Sequence, residues 1–151
     1  KLRALSKKSL FIVNDRIDIA VAVDADGVHL GQDDMPLTVA RQLLGKDKII
    51  GVSVCNPVQA AAAFAQGADY LGVGPIFSTA TKLDAARPVG IDLIRAIDRK
   101  FDIPLVAIGG ITLENAPEVI AAGADAVCAI SAVITRFDVV REIKRFQKLF
   151  L

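Results

Sequence analysis

Gly67-Ala-Asp-Tyr-Leu-Gly-Val-Gly74 is the stretch that decides the fold, because its plan occurs three times in this chain. The other copies are Asp24-Ala-Asp-Gly-Val-His-Leu-Gly31 and Gly123-Ala-Asp-Ala-Val-Cys-Ala-Ile130. In each copy the end of a helix pattern leads through Ala-Asp into a short apolar run. Gly67 and Gly123 suit the left-handed position just past a helix. The repeat predicts a chain of successive helix-to-strand units.

Six apolar, β-branched runs fit buried parallel strands. They cover residues 10–13, 28–30, 49–54, 70–73, 105–108 and 126–130. Helix patterns separate them: Asn56-Pro57 opens one that Gly67 closes, and residues 34–36 open another that Gly45 closes. Strict alternation predicts an α/β fold, and a (β/α)8 TIM barrel is favoured over an open doubly wound sheet.

Six strands fall short of the eight that a barrel of this kind contains. Residues 1–8 look like the tail of a helix that feeds the first visible strand. We therefore expect two βα units to precede residue 1, and residues 1–151 to form a single barrel domain that is incomplete at its N-terminal side. A last helix is predicted from about Asp138, with a basic face turned to solvent.

Composition narrows the classes of partner. The 18 basic and 17 acidic residues nearly cancel, so no strong field favours nucleic acid or a membrane surface. No apolar run reaches the roughly 20 residues of a membrane span. Cys55, Cys128 and the only histidine, His29, lack metal-ligand or redox spacing. The sequence predicts a cytoplasmic protein with a small charged or phosphorylated ligand, and it leaves open whether the protein is a homo-oligomer.

The segment after the fourth strand has the composition of an anion site. Gly74-Pro-Ile-Phe-Ser-Thr-Ala-Thr-Lys82 combines a glycine, two threonines and a lysine. Backbone N–H groups near a glycine, hydroxyl groups and an ammonium group are all suitable partners for phosphate. An ordinary polar loop is the alternative. Because active sites of parallel barrels lie at the carboxyl ends of the strands, the location favours phosphate.

Two carboxylates follow neighbouring strands. Asp15 and Asp34 could share a divalent cation, since Mg²⁺ is often bound by one or two carboxylates together with substrate phosphate oxygens. Helix capping is the alternative for these residues and for Asn14, because each stands where an N-cap is expected.

The last two strand ends and one strand interior add further candidates. Gly109-Gly110 and Ile130-Ser131 stand where barrels of this type hold a phosphate, although a plain turn would also explain the glycine pair. His29 alternates with Val28 and Leu30. If those two face the helices, His29 faces the interior of the barrel, and the alternative is an ordinary packed histidine.

Taken in order along nearly the whole chain, these segments resemble the thiamine-phosphate synthase family. The motifs are Asn14-Asp-Arg-x-Asp18, Asp26-Gly-Val-His-Leu-Gly-Gln-x-Asp34, Gly51-Val-Ser53, Gly74-Pro-Ile-Phe-x-Thr79-Ala-Thr-Lys82, Ile108-Gly-Gly-Ile111 and Ile130-Ser-Ala132. The resemblance implies a barrel enzyme that joins hydroxymethylpyrimidine diphosphate to thiazole phosphate and releases diphosphate.

The resemblance also implies roles for individual residues. Asp15 and Asp34 would hold Mg²⁺, which favours the cation over capping for both. The pyrimidine diphosphate would contact Asn14, Ser53 and Lys82. The site for the thiazole phosphate would be formed by Thr79, Thr81, Gly110, Ile130 and Ser131, and Ala80 would also contact substrate. Lys82, Ser53 and His29 are the residues expected to act in the reaction itself.

One expected element is absent from the sequence. The family carries a Gln-x-Arg-x-Lys diphosphate clamp on its second strand, and residues 1–151 do not contain it. We therefore expect residues 1–151 alone to be poorly active. Two alternatives remain: a thiazole tautomerase of the same superfamily, which would rely on His29, and a non-catalytic phosphate-binding remnant.

Overall fold

The computed structural model describes residues 9–79 and 87–151. Within them, six parallel strands form one sheet in the order β1-β2-β3-β4-β5-β6. Each strand pairs in parallel with the next one along the chain. The strands are β1 Ile12–Asn14, β2 Gly27–Leu30, β3 Ile49–Val54, β4 Tyr70–Val73, β5 Leu105–Ile108 and β6 Ala126–Cys128. The predicted α/β fold with six parallel strands is confirmed.

The helices alternate with these strands. They are α1 Ile17–Ala22, α2 Leu37–Leu44, α3 Pro57–Ala65, α4 Ile91–Asp98, α5 Ala116–Ala121, α6 Ser131–Ile134 and α7 Val139–Gln147, followed by a 3₁₀ turn, Lys148–Phe150. The predicted boundary signals are largely correct. The Asn56 side chain caps α3 by accepting hydrogen bonds from two backbone N–H groups, and Asp138 caps α7 by accepting one.

Four strand boundaries differ from the sequence prediction. Two of them shift by one residue, since β1 ends at Asn14 rather than at residue 13 and β2 begins at Gly27 rather than at residue 28. The first strand begins at Ile12 rather than at residue 10, because Leu10 is 67% exposed and lies outside the sheet. The sixth ends at Cys128 rather than at Ile130. The backbone of Ile130 has φ −101° and ψ −75°, which is no longer extended, and α6 begins at the next residue.

The core lies between the sheet and the helices. Val28, Ile50 and Leu71 on the strands are fully buried, as are Ala60 of α3 and Ile94 of α4. Strand residues alternate between the two faces of the sheet. Because Val28 and Leu30 are buried against the helices, His29 lies on the opposite face, as the sequence predicted.

The aspartate of each sequence repeat joins two neighbouring strands at their amino ends. Each carboxylate accepts a hydrogen bond from the backbone N–H of a residue at the start of the adjacent strand. The carbonyl of that residue in turn accepts a hydrogen bond from the backbone N–H of the aspartate. The pairs, with the carboxylate distances, are Asp26 with Phe11 at 2.7 Å, Asp69 with Ile50 at 2.7 Å and Asp125 with Leu105 at 2.8 Å. The repeat therefore links β1 to β2, β3 to β4 and β5 to β6.

None of the helices within residues 9–79 and 87–151 combines the length and apolar character needed to cross a membrane.

Candidate functional site

The carboxyl edge of the sheet brings the predicted polar residues onto neighbouring strands. The register pairs Asn14 of β1 with His29 of β2. It pairs His29 with Gly51 of β3, and Ser53 of β3 with Gly72 of β4. Because side chains at paired positions of parallel strands point to the same face, Asn14, His29 and Ser53 share the face opposite the helices. Three of the predicted site residues therefore lie on adjacent strands.

Asp15 lies just past β1 with φ +63°, in the left-handed region. Its backbone N–H donates to the carbonyl of His29 at 2.8 Å, and Asn14 Nδ2 donates to Asp15 Oδ1 at 2.7 Å. A non-glycine residue with positive φ is uncommon, and such residues concentrate at functional sites. The backbone therefore holds the Asp15 carboxylate in a specific place beside Asn14.

The capping alternative for Asn14, Asp15 and Asp34 is wrong. The N-cap residue of α1 is Arg16 and that of α2 is Pro36, and neither makes a side-chain capping bond. Asp34 Oδ2 instead accepts a hydrogen bond from the Gly31 N–H at 2.7 Å, so it closes the turn after β2.

The carboxylates of Asp15 and Asp34 suit a hard cation but do not by themselves complete a site for one. Asp15 and Asp34 offer carboxylate oxygens, which Mg²⁺ prefers. Within the described ranges, no group of three or more His, Cys, Asp or Glu residues could enclose a metal ion. Mg²⁺ usually keeps several waters and takes further oxygens from a substrate phosphate. The residues present fit that mode of binding.

His29 connects Tyr70 and Ser53 by hydrogen bonds inside the curve of the sheet. Its Nδ1 lies 2.8 Å from the Tyr70 hydroxyl, and its Nε2 lies 2.8 Å from Ser53 Oγ. Burial lowers the pKa of His29, and the negative charge of Asp34 partly opposes this shift. Burial raises the pKa of Tyr70 to about 12, with a smaller contribution from Cys128. Near neutral pH, His29 is therefore largely uncharged and Tyr70 keeps its proton.

Two glycines make room for these rings. A Cβ atom at Gly72 would lie 2.8 Å from Cε1 of His29, and one at Gly51 would overlap the Tyr70 ring. Real Cβ atoms do not approach other atoms so closely, so larger residues at these positions would displace the rings. The absence of a side chain at Gly51 of β3 and at Gly72 of β4 is what allows His29 and Tyr70 to meet.

The segment after β4 runs alongside the end of β5. Ile76 N donates to the Ile108 carbonyl at 2.9 Å, and Phe77 N donates to the Gly109 carbonyl at 3.0 Å. Gly110 has φ +65°, and a Cβ atom there would lie 2.5 Å from the Ser78 carbonyl oxygen. Residues 76–78 of the predicted phosphate loop therefore pack against the Gly109-Gly110 turn.

Asn115 holds that turn in place. Its Nδ2 donates to the Gly110 carbonyl at 2.9 Å, and its Oδ1 accepts from Thr112 N at 2.8 Å. The Gly109-Gly110 turn and the segment up to Ser78 therefore form one corner of the sheet edge.

The remaining predicted residues fall into two groups. Ile130 and Ser131 lie at the start of α6, after β6, and both are exposed. Ala80, Thr81 and Lys82 lie outside the described residues. The structure thus places Asn14, Asp15, His29, Asp34, Ser53, Thr79, Gly110, Ile130 and Ser131 at or just beyond the carboxyl ends of the strands.

Sequence reasoning missed two residues that support this edge, Tyr70 and Asn115, and it gave no role to Gln32, which belongs to the motif that ends at Asp34. Gln32 Nε2 donates to the Ser53 carbonyl at 2.7 Å and so ties the end of β3 to the turn after β2. Tyr70 could have been identified, since the strand alternation that directs His29 inward also directs Tyr70 inward from β4. The contact of Asn115 joins positions five residues apart and leaves no periodic signal in the sequence.

Comparison with known proteins gives a consistent result. Residues 2–133 match the family model described as thiamine monophosphate synthase. Thiamine-phosphate synthase from Methanosarcina barkeri is 56% identical over 144 residues, which cover 95% of this chain and 66% of the relative. Thiamine-phosphate synthase from Chloroflexus aurantiacus is 52% identical over 151 residues, with 99% of this chain and 69% of the relative covered.

Among solved structures, thiamine phosphate pyrophosphorylase from Pyrococcus furiosus superimposes with a TM-score of 0.90 at 44% identity. The match covers 99% of this chain and 72% of that structure. The chain therefore spans about two thirds of the length of the relatives it matches.

Proposed function

Because this chain belongs to the thiamine monophosphate synthase family, we propose that the protein joins hydroxymethylpyrimidine diphosphate to thiazole phosphate and releases diphosphate. The observation that carries the proposal is the shared carboxyl edge. Asn14 with Asp15, Asp34 and Ser53 lie at the carboxyl ends of three adjacent strands, whereas the segment that leads to Thr79 packs against Gly110 at the ends of the next two. One side offers oxygens for a cation and a diphosphate, and the other offers hydroxyl and backbone N–H groups for a monophosphate.

The architecture we propose is an N-terminally incomplete (β/α)8 barrel with residues 1–151 in a single domain. The six parallel strands in sequential order support it. The greater length of the relatives is compatible with further βα units.

The proposed reaction depends on charge and alignment more than on a nucleophilic side chain. Diphosphate leaves readily only when its negative charge is compensated, which is the role proposed for Lys82. Asp15 and Asp34 would hold Mg²⁺, which when bound supplies further positive charge to the diphosphate. Asn14 and Ser53 would hold the pyrimidine diphosphate in position.

The acceptor is proposed to bind at the opposite corner. Thr79, Ala80, Thr81, Gly110, Ile130 and Ser131 would hold the thiazole phosphate. Fixing both substrates in line for attack by the thiazole nitrogen on the pyrimidine methylene carbon replaces a bimolecular encounter with a positioned one.

A thiazole tautomerase is the second candidate. The observation in its favour is His29, which is half-buried on the site face and, because of its lowered pKa, has an uncharged ring near neutral pH. A neutral imidazole is suited to proton transfer. The pair of carboxylates argues for the synthase, because a tautomerase has no diphosphate to bind.

The test measures both reactions with purified full-length protein. Diphosphate release from the two synthase substrates supports the proposal, whereas tautomerase activity alone would overturn it. Asp15→Asn and Asp34→Asn should each lower synthase activity by about tenfold or more and raise the Mg²⁺ concentration needed for half-maximal rate. Asp33→Asn is the matched control, since Asp33 is exposed at the same strand end and should retain full activity.

A further inference from the structure

We propose that Tyr70 is a positioning residue that orients the Ser53 hydroxyl through His29, by hydrogen bonds that run in one direction from Tyr70 to Ser53. The last proton in this series, on Ser53 Oγ, is then directed to an acceptor atom of the substrate. The order of the hydrogen bonds is a property of the chain itself, and its use in catalysis rests on the function proposed above.

The distances around His29 allow its two hydrogen bonds to run in either direction, from Tyr70 to Ser53 or from Ser53 to Tyr70. His29 Nδ1 and Nε2 each lie 2.8 Å from an oxygen, that of Tyr70 on one side and that of Ser53 on the other. A neutral imidazole carries one N–H and one acceptor nitrogen. The ring therefore donates to one of these oxygens and accepts from the other.

The surroundings of Tyr70 select between the orders. Among the described residues, the Tyr70 hydroxyl makes its hydrogen bond with His29 alone. If His29 donated to Tyr70, the phenol proton would have no acceptor among residues 9–79 and 87–151 in a half-buried place, which is unfavourable. If Tyr70 donates to Nδ1, every proton of the pair is satisfied. The phenol keeps its proton well above neutral pH, because burial raises the pKa of Tyr70 to about 12.

The consequence reaches Ser53. With Nδ1 as the acceptor, Nε2 carries the ring proton and donates it to Ser53 Oγ. The serine hydroxyl is then used as an acceptor by His29 and retains its own proton for donation. Gln32 holds the Ser53 carbonyl at 2.7 Å, so the backbone at this point is fixed as well. Ser53 is thereby set to recognise an unprotonated oxygen or nitrogen of the substrate and to disfavour an N–H or O–H group there.

The position of the imidazole ring is also restrained by the backbone. Gly72 lies under the ring, and a Cβ atom there would come within 2.8 Å of Cε1 and 3.2 Å of Nε2. The ring tilts against Tyr70 with centroids 5.4 Å apart. These contacts keep both ring nitrogens facing their partners before substrate binds.

Nitrogen NMR with ¹⁵N-labelled histidine reads the order directly. His29 is the only histidine in residues 1–151, and the signals that disappear in a His29→Gln variant assign it. At about pH 8, above the ordinary histidine pKa of about 6.5, the proposal predicts a proton on Nε2 and none on Nδ1. In Tyr70→Phe the Nδ1 signal should move, because the nitrogen loses its donor. In Ser53→Ala the proton should stay on Nε2. A proton on Nδ1 in the wild-type protein, or an unmoved Nδ1 signal in Tyr70→Phe, would overturn the order.

Kinetics test the role in catalysis. Tyr70→Phe should lower kcat/KM of the synthase reaction by about three- to tenfold, the range expected for one hydrogen bond. In the Ser53→Ala background, the same substitution should have no further effect, since the hydroxyl that Tyr70 orients is gone. Equal losses in both backgrounds would show that Tyr70 acts independently of Ser53 and would refute the positioning role.

The hydrogen-bond order and the proposed function can be refuted separately. Absence of synthase activity in the wild-type protein would refute the proposed function and leave the NMR result intact. Normal activity with the proton on Nδ1 would refute the hydrogen-bond order and leave the proposed function standing.

Discussion

Replacing Asp125 with alanine should destabilise the protein, because the Asp125 carboxylate accepts the hydrogen bond of the Leu105 N–H at the start of β5. The two atoms are 2.8 Å apart, and Leu105 is 1% exposed. Leaving a buried N–H without an acceptor costs about 1–3 kcal/mol. Since Asp125 itself is exposed, we expect the substitution to lower the free energy of unfolding by about 2 kcal/mol. For a chain of this size, that corresponds to a decrease in Tm of roughly 4–8 °C.

Urea unfolding followed by circular dichroism measures this change. The matched control is Asp102→Ala, which removes the same charge from an exposed aspartate near the same strand and should change stability by less than about 0.5 kcal/mol. Asp125→Asn should lie between the two, because its amide oxygen still accepts a hydrogen bond but carries no charge. If Asp125→Ala and Asp102→Ala were equally stable, the carboxylate would not be what fastens β5 to β6.

Asp69→Ala should lower the free energy of unfolding more than Asp125→Ala does. Asp69 Oδ2 accepts from the Ile50 N–H at 2.7 Å and also pairs with Arg41 Nη2 at 2.6 Å. Arg41 in turn donates to the carbonyls of Lys48 and Gly67. A double-mutant cycle between Asp69→Ala and Arg41→Ala should therefore show non-additivity. Additive losses would indicate that the ion pair contributes nothing at this partly exposed position.

Three further predictions concern single residues. Tyr70 should ionise at about pH 12 in the folded protein, because burial raises its pKa, and near pH 10 after unfolding; the stability it contributes is complete below about pH 10 and is lost as pH rises towards 12. The difference in absorbance at about 295 nm between wild type and Tyr70→Phe measures this titration, and ionisation near pH 10 in the native state would contradict it. Asn56→Ala should cost about 1 kcal/mol in urea unfolding, because Asn56 Oδ1 accepts from Val58 N and Gln59 N at the start of α3; an unchanged midpoint would refute the cap. Gly110→Ala should raise KM for thiazole phosphate more than KM for the pyrimidine diphosphate, since φ +65° and the nearby Ser78 carbonyl leave no room for Cβ; equal changes would separate this turn from the acceptor site.

Much of the fold follows from local signals. The β-branched runs and the Asn56-Pro57 start of α3 predict elements whose type depends on the residues themselves. The start of β1 and the end of β6 differ from the prediction because apolar character continues past the strands, at Leu10 and at Ile130. In both cases pairing with a neighbouring strand, which a local pattern does not encode, sets the boundary.

The site was predictable to the level of strand ends but not of contacts. Alternation alone directed His29 away from the helices, and that interpretation is confirmed by the burial of Val28 and Leu30. The partners of His29 depend on register: Tyr70 lies two strands away, at a position that faces Gly51. Register is set by how β2, β3 and β4 align, so no spacing within one segment could have revealed the contact.

The opposite ends of the strands have different physical roles, and the repeated Ala-Asp segment explains how one sheet can support both. At the carboxyl ends, Asp15, Gly109 and Gly110 adopt positive φ. Such a conformation costs a non-glycine residue like Asp15 about 1 kcal/mol or more, and the glycines lose extra chain entropy on folding. At the amino ends, reciprocal hydrogen bonds from the repeat aspartates fasten strands in pairs without using any group at the other edge. Asp24, Gly67 and Gly123 near the amino edge also have positive φ, so the two edges differ in their hydrogen bonds rather than in backbone strain. Because the aspartate hydrogen bonds use no group at the carboxyl edge, that edge stays open to residues chosen for binding.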